Sequence, residues 1–455
     1  MRSNLLRISF FLFLFAPLSW AASSQPADTH EFNLDNGLKL IVREDHRAPT
    51  VAHMVWYRAG SMDETNGRTG VAHVLEHMMF KGTHQVKAGE FSRLVAAVGG
   101  RENAFTSRDY TAYFQQVEKS KLEDVMKLEA DRMSNLNFDD AEFAKEIQVI
   151  MEERRLRTED NPSSLLNESL MATAFMSSPY RHPVIGWMND LVNMKAVDAR
   201  DWYRSWYAPN NATVVISGDV DPQQIYKMVQ KYYGVAAAHE LPVRKPQVEP
   251  PQKGIKQVLV KAPADNAQLA MAWKVPRLEP GKLDDPEPYA LELLTAVLDG
   301  YDNARLNRVL VKQEKVVNDV GVGYDMVSRG PELFLIGATL AKGKTVEQAQ
   351  ASISKALEEL KQKGILESEL KRIKVRILSE QIYKRDSIFG QAMEIGSNEM
   401  AGFSWKDIDY MLEKMQSITP AQVQAVAKKY LVDEGLTIAV LDPQARKSEL
   451  AKESK

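Results

Sequence analysis

The sequence predicts an α+β fold built from two copies of one domain. The chain has 455 residues, 44% of them hydrophobic and 26% charged, which is enough for two or more globular domains. Its first half opens on strand patterns and continues with helical ones. Both halves end with a helix, a turn and a strand, and each strand is followed by an Asp-Pro pair, Asp221-Pro222 in the first half and Asp442-Pro443 in the second. We interpret this recurrence as a duplication.

The first half begins with a β-hairpin pattern. Two alternating apolar runs, His30–Leu34 and Leu38–Val42, flank Asp35-Asn36-Gly37. Asn-Gly between such runs is a strong hairpin signal. A third strand is expected at Thr50–Tyr57. Beyond it the periodicity predicts strand structure within 103–117 and helices near residues 70–80, 90–97, 122–133 and 139–158.

The two endings set the domain boundaries. The first ending consists of a helix at Val197–Tyr207, a Pro-Asn-Asn turn and a strand at Ala212–Ile216. The second ending repeats this order, with a helix up to Tyr430, a short turn and a strand at Leu436–Val440. A proline-rich stretch at 241–251 separates the halves, and such stretches act as semi-rigid spacers. We therefore predict an N-terminal domain at 28–238, a linker at 239–256 and a C-terminal domain at 257–445.

Charge and cysteine content exclude several classes of function. The 58 Lys and Arg residues against 61 Asp and Glu residues give a formal net charge of −3, so the whole chain has no basic footprint for nucleic acid. There is no cysteine, which excludes disulfides, thiolate zinc sites, iron–sulfur clusters and cysteine nucleophiles. The absence of cysteine is compatible with an oxidising compartment.

Residues 1–21 are predicted to be a cleaved secretory signal. Arg2 and Arg7 precede an apolar run, Ile8–Ala16, which Pro17 ends. Ser19-Trp20-Ala21 then forms a cleavage site of the small-x-small type. The run is too short to span a bilayer comfortably, since about 20 residues are needed. The alternative is a retained anchor helix. We expect export to the periplasm and no integral membrane span.

The most informative segment is a His-x-x-Glu-His motif within a helical pattern. His73 and His77 are four residues apart, so they share one face of the helix and can take two corners of a tetrahedral zinc site. Glu76 borders that face and can act on a water there without being a ligand. This is the zincin motif in reverse order. A solvated His/Glu face is the alternative, but the apolar remainder of the helix makes these polar groups costly to bury unless they are paired or bind a metal.

Zinc needs at least one more protein ligand, and without cysteine it must be His, Asp or Glu. The predicted helix that starts near Asp139 offers Glu146 and Glu153, seven residues apart on one face. Glu152 points elsewhere and is expected to be solvated or paired with a neighbouring Arg. For this helix taken alone, an ordinary charged surface is the alternative.

The motif and the residues that flank it resemble the signature of a known family. Gly70–Thr83 is similar to the signature of the pitrilysin-type zinc peptidases, which include insulin-degrading enzyme and the β-subunit of mitochondrial processing peptidase. In that family the third ligand is a Glu at a characteristic distance after the second His, and Glu153 lies at that distance from His77. Further similar segments are 103–109, 182–186 and 207–211. The resemblance extends over nearly the whole mature chain and is sharpest in its first half.

The resemblance implies a mechanism and a fold. His73, His77 and Glu153 would hold Zn²⁺, and Glu76 would act as the general base toward a zinc-activated water. Glu146 would orient a ligand His without binding the metal itself. The resemblance also implies that an extended substrate adds to a sheet edge at Asn103-Ala104, although a turn residue is the alternative reading of Asn103. Each homologous domain would have a mostly antiparallel sheet packed by helices, and the whole chain would form half of a clamshell.

One departure from the family pattern points to a partner. The family's second half usually carries an Arg and a Tyr seven residues apart that help to hold the substrate, but the aligned positions here are Val311 and Asn318. Arg305 and Tyr324 lie nearby but nineteen residues apart, and we do not assign them that role. We expect a second homologous subunit to supply the pair, as a heterodimer with a chain that lacks the zinc motif, or alternatively as a homodimer.

Two functions remain open from the sequence. The first is a zinc metalloendopeptidase that cuts peptides or unfolded segments as the catalytic subunit of a two-chain assembly. The second is a non-catalytic scaffold or binding subunit of the same fold. Scaffold relatives tend to lose ligands, whereas His73, Glu76, His77 and Glu153 are all present, so the sequence favours the peptidase.

Overall fold

The structure is a computed structural model that describes residues 28–445. The predicted signal, residues 1–21, lies outside these described residues. Among residues 28–445, no helix has both the length and the apolar character needed to cross a membrane. The described chain is a two-domain α+β structure with one mixed sheet in each domain, which confirms the predicted fold class.

The N-terminal sheet has six strands in the order β1-β2-β6-β3-β5-β4. All its neighbouring strands are antiparallel except β2 and β6, which are parallel. The predicted hairpin is present, with Thr29 opposite Arg43 and Asn33 opposite Lys39. The strands are β1 Thr29–Asn33, β2 Lys39–Glu44, β3 Thr50–Tyr57, β4 Arg101–Thr106, β5 Thr111–Glu118 and β6 Ala212–Gly218.

The helices of the first half pack mainly on one face of this sheet and form a large apolar core with it. A five-residue π-helical turn follows α4 at Arg155–Glu159. The α-helices are α1 Val71–Met78, α2 Glu90–Ala97, α3 Leu122–Asn135, α4 Asp140–Arg154, α5 Pro162–Ala174, α6 Met188–Asn193, α7 Ala196–Trp206 and α8 Pro222–Tyr232.

The C-terminal sheet has five strands in the order β7-β11-β8-β10-β9, of which β7 and β11 are the parallel pair. Its strands are β7 Lys256–Pro263, β8 Gln268–Val275, β9 Val317–Gly323, β10 Glu332–Leu340 and β11 Leu436–Gln444. Its α-helices are α9 Pro286–Asp299, α10 Val346–Lys363, α11 Glu367–Arg385, α12 Ile388–Ala401, α13 Asp407–Ser417 and α14 Pro420–Tyr430.

Without β1, the N-terminal sheet has the same topology as the C-terminal sheet. In both, the first strand pairs in parallel with the last, and the remaining strands follow in the same antiparallel order. This repetition supports our interpretation of the chain as a duplication. The boundaries 28–238, 239–256 and 257–445 stay predictions. The linker is fastened at Glu249, whose carboxylate accepts hydrogen bonds from three successive backbone N–H groups, at Met176, Ser177 and Ser178.

The two domains exchange helices across their interface. Helix α12, from the C-terminal half, covers the face of the N-terminal sheet opposite to α1, where Ala392, Ile395 and Met400 pack against strand residues such as Met54 and Trp56. Helix α5, from the N-terminal half, covers a face of the C-terminal sheet in the same way. Neither α5 nor α12 was among the helices predicted from the sequence, and an apolar helix face does not by itself specify the sheet that it covers.

The close approach of α12 to the N-terminal sheet depends on Gly396, because a Cβ at that position would overlap the indole of Trp56. Overpacking of a buried contact costs about 1–3 kcal/mol. We therefore expect Gly396→Ala to lower the free energy of unfolding by about that amount, measured by urea denaturation. Gly337→Ala is the matched control, since a Cβ there meets no atom within 4 Å. Equal stability of both variants would contradict the tight packing of α12 on Trp56.

A buried ionic cluster joins the two domains near the end of β4. Arg329 of the second half donates to both carboxylate oxygens of Asp63, at 2.8 and 2.9 Å, and to the backbone carbonyl of Asp109 at 2.6 Å. The Asp109 carboxylate in turn accepts hydrogen bonds from the Tyr180 hydroxyl and from the Arg329 N–H. Because these groups satisfy one another, the turn between β4 and β5 is held by both domains.

Candidate metal centre

Helix α1, which carries the His-x-x-Glu-His motif, is fixed at its N-terminus by a buried carboxylate. Glu64 accepts hydrogen bonds from the N–H groups of Gly70 and Ala72, at 2.8 and 2.9 Å. These are two of the groups that a helix leaves unsatisfied at its start. Burial raises the pKa of Glu64 to about 8. Gly70 has a positive φ of 88° and lies against the backbone of Gly186, so a side chain there would be strained and would clash.

Sequence reasoning missed Glu64. It lies six residues before Gly70, outside the three-residue spacing of a capping box, so no local pattern marks it. Helix α4, in contrast, begins as its sequence suggests: the Asp139 side chain accepts a hydrogen bond from the Glu142 N–H at 2.7 Å. Ile147, Ile150 and Met151 are buried in the core, and this fixes the rotation of the helix.

The structure brings His73, His77 and Glu153 together. One ligand atom from each lies within 4.8 Å of the other two. The Nε2 atom of His77 is 3.4 Å from one oxygen of the Glu153 carboxylate, and the Nε2 atom of His73 is 3.9 Å from the other. The second of these oxygens also pairs with Arg157 at 2.5 Å. Two imidazole nitrogens and a carboxylate oxygen are a donor set that zinc takes in hydrolytic sites.

Glu146 lies on the opposite side of the His77 ring. Its carboxylate is 2.8 Å from Nδ1 of His77 and 2.5 Å from the ammonium group of Lys81. A hydrogen bond at Nδ1 fixes the tautomer that presents the Nε2 lone pair toward Glu153. Glu152 instead pairs with Arg155 at the surface, as the sequence suggested. The residues present therefore fit a zinc ion on the side of Nε2.

The electrostatics of the two imidazoles differ. Burial and the neighbouring His77 lower the pKa of His73 to about 4, which keeps that ring neutral, the form that binds a metal. Burial also disfavours a charged His77, but the carboxylates of Glu146 and Glu153 outweigh it and raise the pKa of His77 to about 9. The two carboxylates therefore favour the protonated, positively charged form of the His77 ring, whereas a bound metal would require its neutral form.

Glu76 lies close to the same cluster and contacts the sheet edge. Its carboxylate accepts a hydrogen bond from the Thr106 hydroxyl at 2.5 Å, at the end of strand β4. Burial raises the pKa of Glu76, and the Thr106 bond opposes that rise. A raised pKa suits a group that must accept a proton and later release it. Thr106 was not singled out from the sequence, because a single Thr in a strand carries no distinguishing pattern.

Strand β4 lies at the edge of the N-terminal sheet, and it contains the predicted docking residues. Asn103 is exposed, and its side-chain oxygen accepts a hydrogen bond from the Ala104 N–H at 2.9 Å. This N–H is therefore satisfied by a side chain. A peptide that added to the edge would replace that side-chain contact with a backbone one.

The positions aligned with the family's Arg and Tyr, and the nearby Arg305 and Tyr324, all make contacts within the second half of the chain. Val311 lies in a π-helical segment, and the Asn318 side chain donates to the Leu340 carbonyl within its own sheet. Arg305 forms a two-point ion pair with Glu369, and the Tyr324 hydroxyl donates to the Pro276 carbonyl. All four side chains are thus accounted for by contacts within the second half.

A His-x-x-Glu-His helix beside a carboxylate helix, carried on two α+β domains, defines the class of zinc proteases with the inverted motif. Comparison of the sequence with family models gives the same class. Residues 39–186 match the model described as insulinase, peptidase family M16, and residues 193–376 match the peptidase M16 inactive domain. The chain belongs to the M16 family, which confirms the resemblance predicted from the sequence.

Individual relatives match nearly the whole length of this chain. The chain is 30% identical to the zinc protease PqqE of Helicobacter pylori over 97% of this chain and 98% of that protein. A solved structure of a protease from Helicobacter pylori superposes with a TM-score of 0.86 at 27% identity, covering 92% and 100% of the two chains. The periplasmic protease PqqL of Escherichia coli shares the fold with a TM-score of 0.77 at 17% identity, but the match covers 94% of this chain and only 49% of that one.

Proposed function

We propose that the chain is a zinc-dependent endopeptidase and the catalytic subunit of a two-chain assembly. The observation that supports this most is the convergence of His73, His77 and Glu153 beside Glu76, four groups drawn from two helices that are well separated along the chain. The family membership and the printed name of the Helicobacter pylori relative, a zinc protease, agree with the proposal.

The side chains of the site have separate roles in metal binding and in proton transfer. His73, His77 and Glu153 hold the metal, and Glu146 keeps His77 in the tautomer that binds it. Bound zinc supplies Lewis-acid chemistry, which polarises the scissile carbonyl and makes water more acidic. The Glu76 carboxylate takes the proton of the attacking water and delivers it to the leaving amine. The Thr106 hydroxyl holds Glu76 in position while it does so.

The peptide substrate is proposed to bind along the free edge of β4. Backbone N–H and C=O groups on an edge strand can pair with an extended peptide regardless of its side chains. Asn103 would release the Ala104 N–H to the peptide, and the scissile bond would lie near Thr106, where Glu76 makes its contact. This mode requires an extended substrate, so peptides and unfolded segments fit better than folded proteins.

A chelation experiment tests the metal requirement. The chain, assayed together with its partner subunit, is expected to hydrolyse an internally quenched peptide. Treatment with 1,10-phenanthroline should remove roughly 90% or more of this activity, because a metal-dependent hydrolase loses its Lewis acid. Addition of zinc should restore the activity. Zinc content is measured in parallel by atomic emission. A chain that binds no zinc and does not cleave would overturn the proposal in favour of a scaffold or binding subunit.

We also propose that a second homologous chain completes the chamber. The match covers about half of PqqL, and the first half of that protein alone superposes on this chain, so the PqqL polypeptide continues beyond one such unit by about the same length. Here Val311 and Asn318 replace the pair that holds the substrate in the family pattern. A partner that lacks the zinc motif, encoded near this chain, would supply the pair. The alternative is a homodimer, which would close the chamber without that pair.

Purified alone, the chain is therefore expected to cleave peptides weakly, and mixing with the partner should raise kcat/KM by about 100-fold, since misplaced substrate costs that much. Size-exclusion chromatography with light scattering would report whether the active species is a heterodimer or a homodimer. Full activity of a monomeric chain would contradict the assembly but not the zinc chemistry.

The cellular location proposed is the periplasm. The support is the signal-like pattern of residues 1–21 and the printed description of PqqL as periplasmic. Cell fractionation of the full-length protein, with N-terminal sequencing of the mature form, would test both the compartment and the cleavage after Ala21.

A further inference from the structure

Strand β1 is an addition to the duplicated plan of the chain. Among the described residues, the C-terminal sheet has no counterpart of β1, which pairs with β2 alone and forms one edge of the N-terminal sheet. The strand has only five residues, Thr29–Asn33, and none of them is fully buried. A strand with one neighbour and little buried surface opens more easily than the strands of a core.

The start of β1 and the end of β2 bring three side chains with metal-binding groups together. The carbonyl of Asp28 accepts a hydrogen bond from the N–H of Glu44 at 3.0 Å, so these two residues lie opposite each other across the hairpin. His30 follows Asp28 by two residues, and alternate residues of a strand point to the same face. The register therefore places Asp28, His30 and Glu44 on one face of the sheet, at its rim.

The distances within this cluster are those of a metal site. The Nε2 atom of His30 is 3.2 Å from one oxygen of Glu44 and 3.4 Å from an oxygen of Asp28. Two ligands of a tetrahedral zinc ion, each about 2.0–2.1 Å from the metal, are about 3.4 Å apart. Within residues 28–445, this cluster and the proposed catalytic one are the two in which three His, Asp or Glu side chains bring ligand atoms within 4.8 Å of one another.

His46 holds the Glu44 carboxylate from the other side. Its Nε2 atom is 3.1 Å from the second oxygen of Glu44, and its Nδ1 atom is 2.7 Å from Asp219. Hydrogen bonds to Asp219 and to Glu44 raise the pKa of His46, and a protonated imidazole can donate from both nitrogens. His46 therefore acts as a donor that leaves the first oxygen of Glu44 directed toward His30, and it is not a ligand itself. Carboxylate ligands of metals are commonly held in this way.

Charge and access also suit a metal ion. The carboxylates of Asp28 and Glu44 supply two negative charges, which match a divalent cation, and Lys119 pairs with Asp219 instead. The side chains of Asp28 and His30 are 74% and 35% exposed, so an ion can enter from solvent. An imidazole nitrogen among the donors favours zinc and similar transition ions over calcium and magnesium, which take oxygen ligands.

We propose that Asp28, His30 and Glu44 form a second metal site, which binds a divalent transition ion such as zinc and fastens the added strand β1 to β2. The ion would join ligands from both sides of the hairpin, so it binds well only while the two strands are paired. Binding to the paired form alone makes opening rarer by a factor of 1 + [ion]/Kd. The site shares no residue with the proposed catalytic centre, and the proposal does not depend on the peptidase function.

The first test is a zinc titration of the mature chain in competition with a fluorescent chelator. The wild type is expected to bind two ions, and Glu153→Gln should keep the second of them. His30→Gln should weaken that second ion by at least about 10-fold, since it removes a ligand, while the first ion is unchanged. His84→Gln is the matched control, because His84 is an exposed histidine of the same domain outside both clusters, and it should leave both ions in place.

The second test is hydrogen–deuterium exchange of the Glu153→Gln chain, in which the catalytic centre does not contribute. Zinc at about ten times the Kd of the second site should slow exchange within β1 about 10-fold, and adding His30→Gln should remove this effect. A single ion per wild-type chain, lost in Glu153→Gln, would overturn the second site and leave the peptidase function in place. A second ion that His30→Gln did not weaken would overturn its assignment to this cluster, and unchanged exchange on zinc binding would overturn the fastening of β1.

Discussion

Glu76→Gln is expected to lower kcat/KM by about 10³-fold or more while the chain keeps its zinc. The amide has nearly the same shape as the carboxylate and can still contact Thr106, but it cannot accept the proton of the attacking water. A positioned general base contributes about 10²–10⁴-fold to such reactions, and here the same group also protonates the leaving amine. Peptide hydrolysis and zinc content, measured on one preparation, would check both halves of the prediction.

A Thr106→Val variant provides a graded comparison. It removes the hydroxyl that binds Glu76 but leaves the carboxylate, so a smaller loss, on the order of 10-fold, is expected from the loss of one hydrogen bond to a charged group. If Glu76→Gln retained most of the activity, Glu76 could not be the base. If it lost its zinc instead, Glu76 would belong to the ligand set.

Glu153→Gln should abolish tight zinc binding and, with it, hydrolysis. The carboxylate would supply the one anionic ligand of the proposed set, and it lies 3.4 Å from Nε2 of His77. Loss of a group that only orients a ligand costs about 10–100-fold in metal affinity, and loss of the ligand itself should exceed that range. Competition with a fluorescent zinc chelator measures the affinities directly.

Two other glutamates on α4 provide comparison variants for Glu153→Gln within the same helix. Glu146→Gln, which weakens the hold on Nδ1 of His77, should fall within the range of about 10–100-fold. Glu152→Gln removes an equal charge from the exposed side of the same helix and should leave zinc affinity unchanged. Zinc binding by Glu153→Gln equal to that of the wild type would remove Glu153 from the proposed ligands.

The parts of the site that the sequence predicts are those set by helical periodicity. His73 and His77 lie one turn apart, and Glu146 and Glu153 lie two turns apart on one face, so local geometry alone places each pair. Pairing the two helices with each other relied on the family spacing, because nothing in the sequence of α4 distinguishes a ligand face from a charged surface. The structure places the two helices so that both pairs meet.

The parts that escaped prediction depend on contacts that no local sequence motif marks. Glu64 holds the start of α1 from outside any capping motif, and Thr106 reaches Glu76 across 30 residues. The ionic cluster of Asp63 and Arg329 joins residues 266 apart in the sequence. Charged residues of this kind look like solvated surface in a sequence, since their burial is decided only when two domains meet.

The exchange of α5 and α12 has a consequence for the order in which the polypeptide matures. A ribosome makes the first sheet long before it makes residues 388–401, and at about 5–20 residues per second the stretch between the end of the first half and α12 takes roughly 8–30 s. Until then Met54 and Trp56 face solvent. A first half that lacked α12 would therefore leave this apolar face of the sheet exposed, and exposed apolar surface of this kind makes a partly folded chain prone to aggregate.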